Sequence, residues 1–366
     1  MRPADDLLVR ALRAPESVAH LSLTQWDRLV RQARHAGLLA RLHDRLDALA
    51  LVDAIPDPAR WHFEAAATLA HKQQVAVRWE VGQIRDALAT LDGPVVVMKG
   101  AAYVIAGLPA ARGRLFNDID ILVPRRLLNK AEAALMLAGW HASGLSAYDE
   151  RYYRRWMHEI PPMRHLRRAT VIDVHHAILP DTARDFPDPE KLLGRIVPAT
   201  GVPGVYVLSA EDRILHSAAH LFHDGELPHG LRDLSDLDLL LRHESAAAAF
   251  WPRLVARAGE LQLGRPLFYA LRYARHFLAT PVPAEVWNAL RPATPSPLRL
   301  RVADAMFSRA LAPLHPSCDD ALSPLARQAA YVRAHWLRMP AHLLLPHLLH
   351  KAFVSPWQDD ESPRAA

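Results

Sequence analysis

The sequence predicts an α+β protein: a small mixed β-sheet core with helical regions before and after it. Three observations predict it. Apolar residues recur at three- and four-residue spacing through residues 1–92 and again after about residue 205, the period of amphipathic helices. Between these regions, "VVVMKG" and "DIDILV" are short β-branched runs bounded by glycine, proline and polar residues, as strands are. The order strand, helix, strand, helix and then two further strands fits a single mixed sheet.

The expected boundaries are a helical segment over 1–92, the sheet core over 93–204, a helical domain over 205–353 and a flexible tail over 354–366. In the first, Trp26, Leu29, Val30, Ala33, Leu38, Leu39 and Leu42 mark one helical face, with Ser22 or Thr24 as cap. Pro56 and Pro58 interrupt the pattern, and one long helix follows over 59–91, stopped by Gly93-Pro94. In the core, "AAYVIAGL" reads as a short helix and Pro109 to Asn117 as a loop. "PRRLLNKAEAALMLAGW" reads as a helix opened by Pro124 and closed by Gly139. "RYYRRWMHEIPPMRH" and "ATVIDVHHAIL" read as two strands of a hairpin turning at Arg167-Arg168. Beyond it, Ser209 and Asp212 have capping-box spacing at the start of "DRILHSAAHLFHDG", and "GLRDLSDLDLLLRHE" is a second amphipathic helix.

Composition sets outer limits. Hydrophobic residues make up 51% of the 366, enough for a large core. No apolar run is long enough to span a bilayer and the N-terminus lacks a signal-peptide core, so a soluble cytoplasmic protein without membrane association is expected. The single cysteine, Cys318, excludes an intramolecular disulfide and a cysteine-rich zinc site. Lys and Arg exceed Asp and Glu by 44 − 39 = 5, nearly all of it through arginine. That excess permits an anionic partner such as a nucleotide or RNA without demanding one.

The chemistry concentrates in the core. Asp118 and Asp120 stand one residue apart in an apolar strand, so both carboxylates project from the same face. Like charges so placed raise each other's proton affinity and call for a neutralising partner, for which a divalent metal ion is the usual candidate. A third acid, Asp173, lies amid apolar residues in "VIDVHH". Three carboxylates on adjacent strands suit two Mg²⁺ or Mn²⁺ ions in phosphoryl transfer. Upstream, Lys99-Gly100 ends the first strand, where a glycine turn lets backbone N–H groups approach a phosphate.

This pattern resembles the nucleotidyltransferase fold of the DNA polymerase β superfamily, with its glycine turn, acid-x-acid pair and later third acid. More narrowly, "VVVMKGAAYVIAGL", "GRLFNDIDILVP", "IDVHHAIL" and "LSAEDRILHSAAHLFHDG" resemble the bacterial family called uncharacterised nucleotidyltransferases, from about Leu23 to Leu241. The resemblance implies a nucleotidyltransferase core in which Asp118, Asp120 and Asp173 are metal ligands and catalytic residues. It places Gly100 and Ala101 at the phosphate turn, and Lys99 and Arg114 on phosphate. Ala101 stands where many superfamily members carry serine or glycine, and Leu115 where the family usually has proline. The implied reaction moves a nucleoside monophosphate from an NTP, ATP foremost, to an acceptor and releases pyrophosphate. The acceptor stays open between a small molecule, a tRNA end and a protein side chain.

His175, two residues after Asp173, is assigned to the nucleotide site, while His176 on the opposite face is structural. His158-Glu159 flank the site at most. His216, His220 and His223 have helical spacing and are expected to face the sheet rather than bind zinc. The segment from about Leu208 to His243 is expected to wall a cleft opposite Asp118, with His220 and Asp233 nearest its opening. Asp233, Asp236 and Asp238 are expected on a solvated helix face, and "RYYRRW" is too short to separate a nucleic-acid strip from a charge-guarded edge strand. The alternatives to catalysis by transfer are a non-catalytic scaffold that keeps the fold and a metal-dependent phosphohydrolase.

Overall fold

The computed structural model describes residues 6–142, 147–223 and 225–339. The expected tail and the end of the last helical region lie outside these residues. The N-terminal region is helical: α1 (Leu7–Arg13), α2 (Leu23–His35), α3 (Leu39–Ala48) and α4 (Asp57–Ala87). Ser22, not Thr24, caps α2 through a full capping box, with Gln25 as the reciprocal partner. The long helix α4 ends at Ala87, short of the Gly93-Pro94 stop.

The core begins with β1 (Val96–Val97) and α5 (Lys99–Ile105), then β2 (Ile119–Leu122), α6 (Leu128–Leu137), β3 (Trp140–Ala142) and α7 (Ala147–Trp156). It continues through β4 (Met163–His165), β5 (Val171–His175), α8 (Pro189–Leu193), β6 (Val197–Pro198) and β7 (Tyr206–Val207). Among the described residues these strands form one sheet in the order β3-β4-β5-β2-β1-β7-β6. Its centre is decisive for the site: β2 pairs antiparallel with β1 and parallel with β5, with Asp120 directly opposite Asp173.

One expectation about the core is corrected. "RYYRRW" is helical, in α7, and not an edge strand. Its aromatics at 152, 153 and 156 suit a helix, and the helix lets Arg154 reach Glu150 at i−4 as well as Glu132 of α6. Only Met163–His165 of that stretch is strand, and it joins β5 through the turn at Leu166–Arg168. Just past Gly139, Trp140 opens the edge strand β3 and is 1% exposed.

The C-terminal region comprises α9 (Ala210–His223), α10 (Gly230–Glu244), α11 (Phe250–Glu260), α12 (Gly264–Leu278), α13 (Ala284–Ala289), α14 (Pro297–Ala310) and α15 (Ser323–Arg338). Ser209 Oγ accepts from Asp212 N–H at 3.3 Å, as the capping spacing predicts. One apolar cluster runs from Leu7 through the sheet to Ala330, so both helical regions share their core with the sheet. No described helix is long and apolar enough to cross a membrane.

Candidate active site

The chain leaves β1 with Met98 N–H donating to Asp120 O at 2.9 Å, and Lys99 then takes a left-handed φ of 45° to open α5. This turn carries the Lys99 ammonium to 2.6 Å from Asp120 Oδ1. His175, 1% exposed at the end of β5, places Nε2 3.0 Å from the same oxygen. The neutralising partners that the acidic pair calls for therefore include two side chains of this protein. Burial alone would raise the Asp120 carboxyl, but Lys99 and His175 outweigh it and hold that group well below the ordinary carboxylate range. Lys99 is likewise held charged: burial works against the ammonium, and Asp120 with Glu159 outweighs burial.

The other two carboxyls differ. Asp118, just before β2, is raised by burial and by Asp120. Asp173 is pushed up to about 7 by burial first, then by Glu159, Asp120 and Asp118. Its Oδ1 is buried without a hydrogen-bond partner among the described residues. Asp120, Asp173 and His175 each offer a ligand atom within 4.8 Å of the other two. An orphaned carboxylate oxygen facing a second carboxylate fits an oxygen-seeking dication.

A polar cleft of about 110 Å³ opens beside this cluster, floored by Lys99, Gly100, Tyr103, Asn117, Asp118 and Asp120. Its opposite wall is Ser217 and His220 of α9 with Arg232, Asp233 and Asp236 of α10. The segment after the core thus stands where the sequence predicts, against Asp118. Tyr103 Oη lies 2.7 Å from Ser217 Oγ and ties the two sides together. His216 and His220 face the sheet, and both are kept neutral. Burial first and then the Lys99 charge push His216 down to about 3, whereas for His220 the Lys99 charge leads.

Other predicted site residues fall differently. Arg114 lines the cleft, yet its Nε donates to Asp236 Oδ2 at 2.8 Å and not to Asp118. Gly100 owes its identity to this arginine: an added Cβ would stand 2.1 Å from Arg114 Nη1 and 2.9 Å from Phe116. Gly113 permits the same arrangement from behind, since a Cβ there would meet the Arg41 backbone at 2.4 Å. Gly100→Ala should dislodge Arg114 and cost about 1–3 kcal/mol in denaturant titration. Wild-type stability in that variant would show that Arg114 swings aside freely. Ala101 is 2% exposed in α5, and its side chain packs in the core rather than lining the cleft. His175 is likewise absent from the cleft lining and stands behind Asp120.

The acids of α10 are the main correction. Asp236 and Asp238 are 3% and 2% exposed, not solvated. Asp236 receives Arg41 Nη1 at 2.6 Å as well as Arg114, and Asp238 receives Arg242 Nε at 2.7 Å and the Thr280 hydroxyl at 2.6 Å. The sequence reading missed Arg41, Tyr103, Ser217 and Arg232. The partners that identify Arg41, Tyr103 and Ser217 lie in other regions of the chain, whereas Arg232 pairs with the adjacent Asp233.

A family model described as "Uncharacterised nucleotidyltransferase" matches residues 22–279. No curated protein and no solved structure matches the chain. The matched span contains every residue of the cluster and of the cleft and exceeds half of the chain, and the chain belongs to this family.

Proposed function

We propose that this member of the uncharacterised nucleotidyltransferase family transfers a nucleoside monophosphate from an NTP, ATP foremost, to an acceptor nucleophile with release of pyrophosphate. The observation that carries it is the meeting of Asp120 and Asp173 across the parallel β2–β5 pair, with Asp118 beside them at the cleft. Asp118, Asp120 and Asp173 would hold Mg²⁺ or Mn²⁺. Such ions, when bound, supply charge neutralisation for the triphosphate and the leaving pyrophosphate.

The protein's own groups do the rest. Lys99 fixes one oxygen of Asp120 and keeps a permanent positive charge at the cleft floor, where phosphate oxygens arrive. Arg232, which also lines the cleft, adds a second charge on the opposite wall. Asp173, whose carboxyl is raised to about 7 by burial and then by Glu159, would take the proton of an acceptor hydroxyl. His220, Ser217 and Asp233 line the wall where the acceptor would enter. The polar cleft is smaller than the ~300 Å³ at which ligand pockets begin. It meets, at Asn117 and Asp118, an apolar groove of about 260 Å³ lined by Val77, Trp79 and Phe116, into which a nucleobase would extend.

The direct test is incubation with each labelled NTP, Mg²⁺ or Mn²⁺ and cell extract. Label on a metabolite, an RNA or a protein supports transfer and names the acceptor class. Binding of NTP without any labelled product favours the scaffold alternative. A second test uses pH. A protonated Asp173 must lose its proton to bind a metal, so Mn²⁺ affinity should rise about tenfold per pH unit below about pH 7 and then level off. In Asp173→Asn the profile should flatten. A flat wild-type profile in calorimetry would remove Asp173 from the metal site.

A further inference from the structure

We propose that His158, Glu159 and His175 form a second metal site, beside the aspartates and suited to a d-block dication such as Zn²⁺. Each of the three offers a ligand atom within 4.8 Å of the other two. Among the described residues, the Nδ1 atoms of both histidines are buried without a hydrogen-bond partner, an arrangement folded proteins seldom leave unanswered. For His175, the other nitrogen explains where Nδ1 is aimed. Nε2 donates to Asp120 Oδ1 at 3.0 Å, which leaves the Nδ1 lone pair on the side of Glu159 Oε2, 3.2 Å away but out of hydrogen-bonding alignment. A carboxylate that accepts from one imidazole nitrogen while the other meets a metal is the usual way a ligating histidine is oriented.

The backbone holds the three residues in place. Glu159 bridges antiparallel to His175, Ile160 N–H donates to Val174 O at 3.0 Å, and His176 N–H donates to His158 O at 2.9 Å. Residues 158–160 therefore run beside the end of β5 as a short extra rung, and the two imidazoles stand with centroids 5.2 Å apart.

The donor set selects the metal. Two imidazoles and one carboxylate favour Zn²⁺, Co²⁺ or Ni²⁺ over Mg²⁺, which prefers oxygen alone. Three protein ligands leave one position for water, as in open zinc sites. A metal there would staple the segment between α7 and β4 to β5, directly behind Asp120, and would act as a positioning element. The inference stands apart from nucleotidyl transfer, since it concerns metal affinity alone.

The test uses the full chain. Zn²⁺ is titrated against a chromophoric chelator, and the zinc-loaded protein is measured by X-ray absorption. A tight site with two imidazoles in the zinc shell is expected. His158→Ala should weaken zinc at least about 100-fold, whereas Asp118→Asn should change it less than about threefold. An oxygen-only shell, a shell with a single imidazole, or unchanged affinity in His158→Ala overturns the proposal. Should His158→Ala fail to fold by circular dichroism, the absorption spectrum of the wild-type protein still decides.

Discussion

Asp236→Ala is expected to destabilise the fold by about 3–5 kcal/mol, because it strands two guanidinium groups in the interior. Arg41 and Asp236 have side chains 4% exposed, and their closest atoms are 2.6 Å apart. Arg114, 11% exposed, meets the other carboxylate oxygen at 2.8 Å. Arg41 also donates to Ala110 O at 2.6 Å and to Ser235 Oγ at 3.2 Å, so it cannot turn out to water without breaking further bonds. Burial disfavours the Asp236 carboxylate, but Arg41, Arg114 and Arg232 hold its pKa below the ordinary value. A depressed carboxyl contributes stability that is present above its unfolded pKa and is lost as pH falls through the folded one. The contribution should therefore persist at neutral pH and disappear only in acid. Asp236→Asn should lose most of it. Replacing Arg41, Arg114 and Asp236 together by apolar residues of similar volume should cost far less than Asp236→Ala alone. Denaturant titration of the four proteins measures this. A loss below about 1 kcal/mol in Asp236→Ala would show that water reaches the arginines.

Asp120→Asn should lower nucleotidyl transfer by about 10²–10³-fold or more, as loss of a preorganised electrostatic group does. It should also lower stability. The isolated acidic pair suggests relief of repulsion on neutralisation, but the structure places Lys99 and His175 on Asp120 Oδ1, and the asparagine leaves the Lys99 ammonium without its carboxylate. The two effects separate in a double variant. Lys99→Met with Asp120→Asn should recover stability while transfer stays low. Turnover of Asp120→Asn within a few fold of wild type would take this residue out of the chemistry.

What the sequence made legible follows its periods. Asp118-x-Asp120 at the start of a strand, the turn at Arg167-Arg168, the Ser22 cap and the two helices flanking the cleft all rest on local spacing. So does the approach of Asp173, whose apolar neighbours mark a central strand. The misreadings have physical causes. Tyr152, Tyr153 and Trp156 favour strands by residue type, and that preference masked their helical spacing. β6 and β7 are two residues each, too short for alternation to register. Asp236 and Asp238 look solvated because helices usually turn acids outward, yet α10 is buried on nearly every side. Their counter-ions come from Arg41, Arg114 and Arg242, and only the last lies within reach of local spacing.

The distance along the chain between Arg41 and its carboxylate has a consequence for synthesis. The ribosome makes Arg41 and Arg114 long before Asp236. The Arg41–Ser235 contact beside this ion pair already spans 194 positions. At roughly 5–20 residues per second, Arg41 waits about 10–40 s for its counter-ion. Until then the nascent chain carries two unpaired arginines next to apolar surface that α10 will later cover. We predict that ribosome-stalled chains ending before residue 230 remain protease-sensitive around Arg41 and Arg114, and that chains long enough to expose α10 outside the exit tunnel become resistant at both places together. Resistance in the shorter chains would mean that the first regions lock without it.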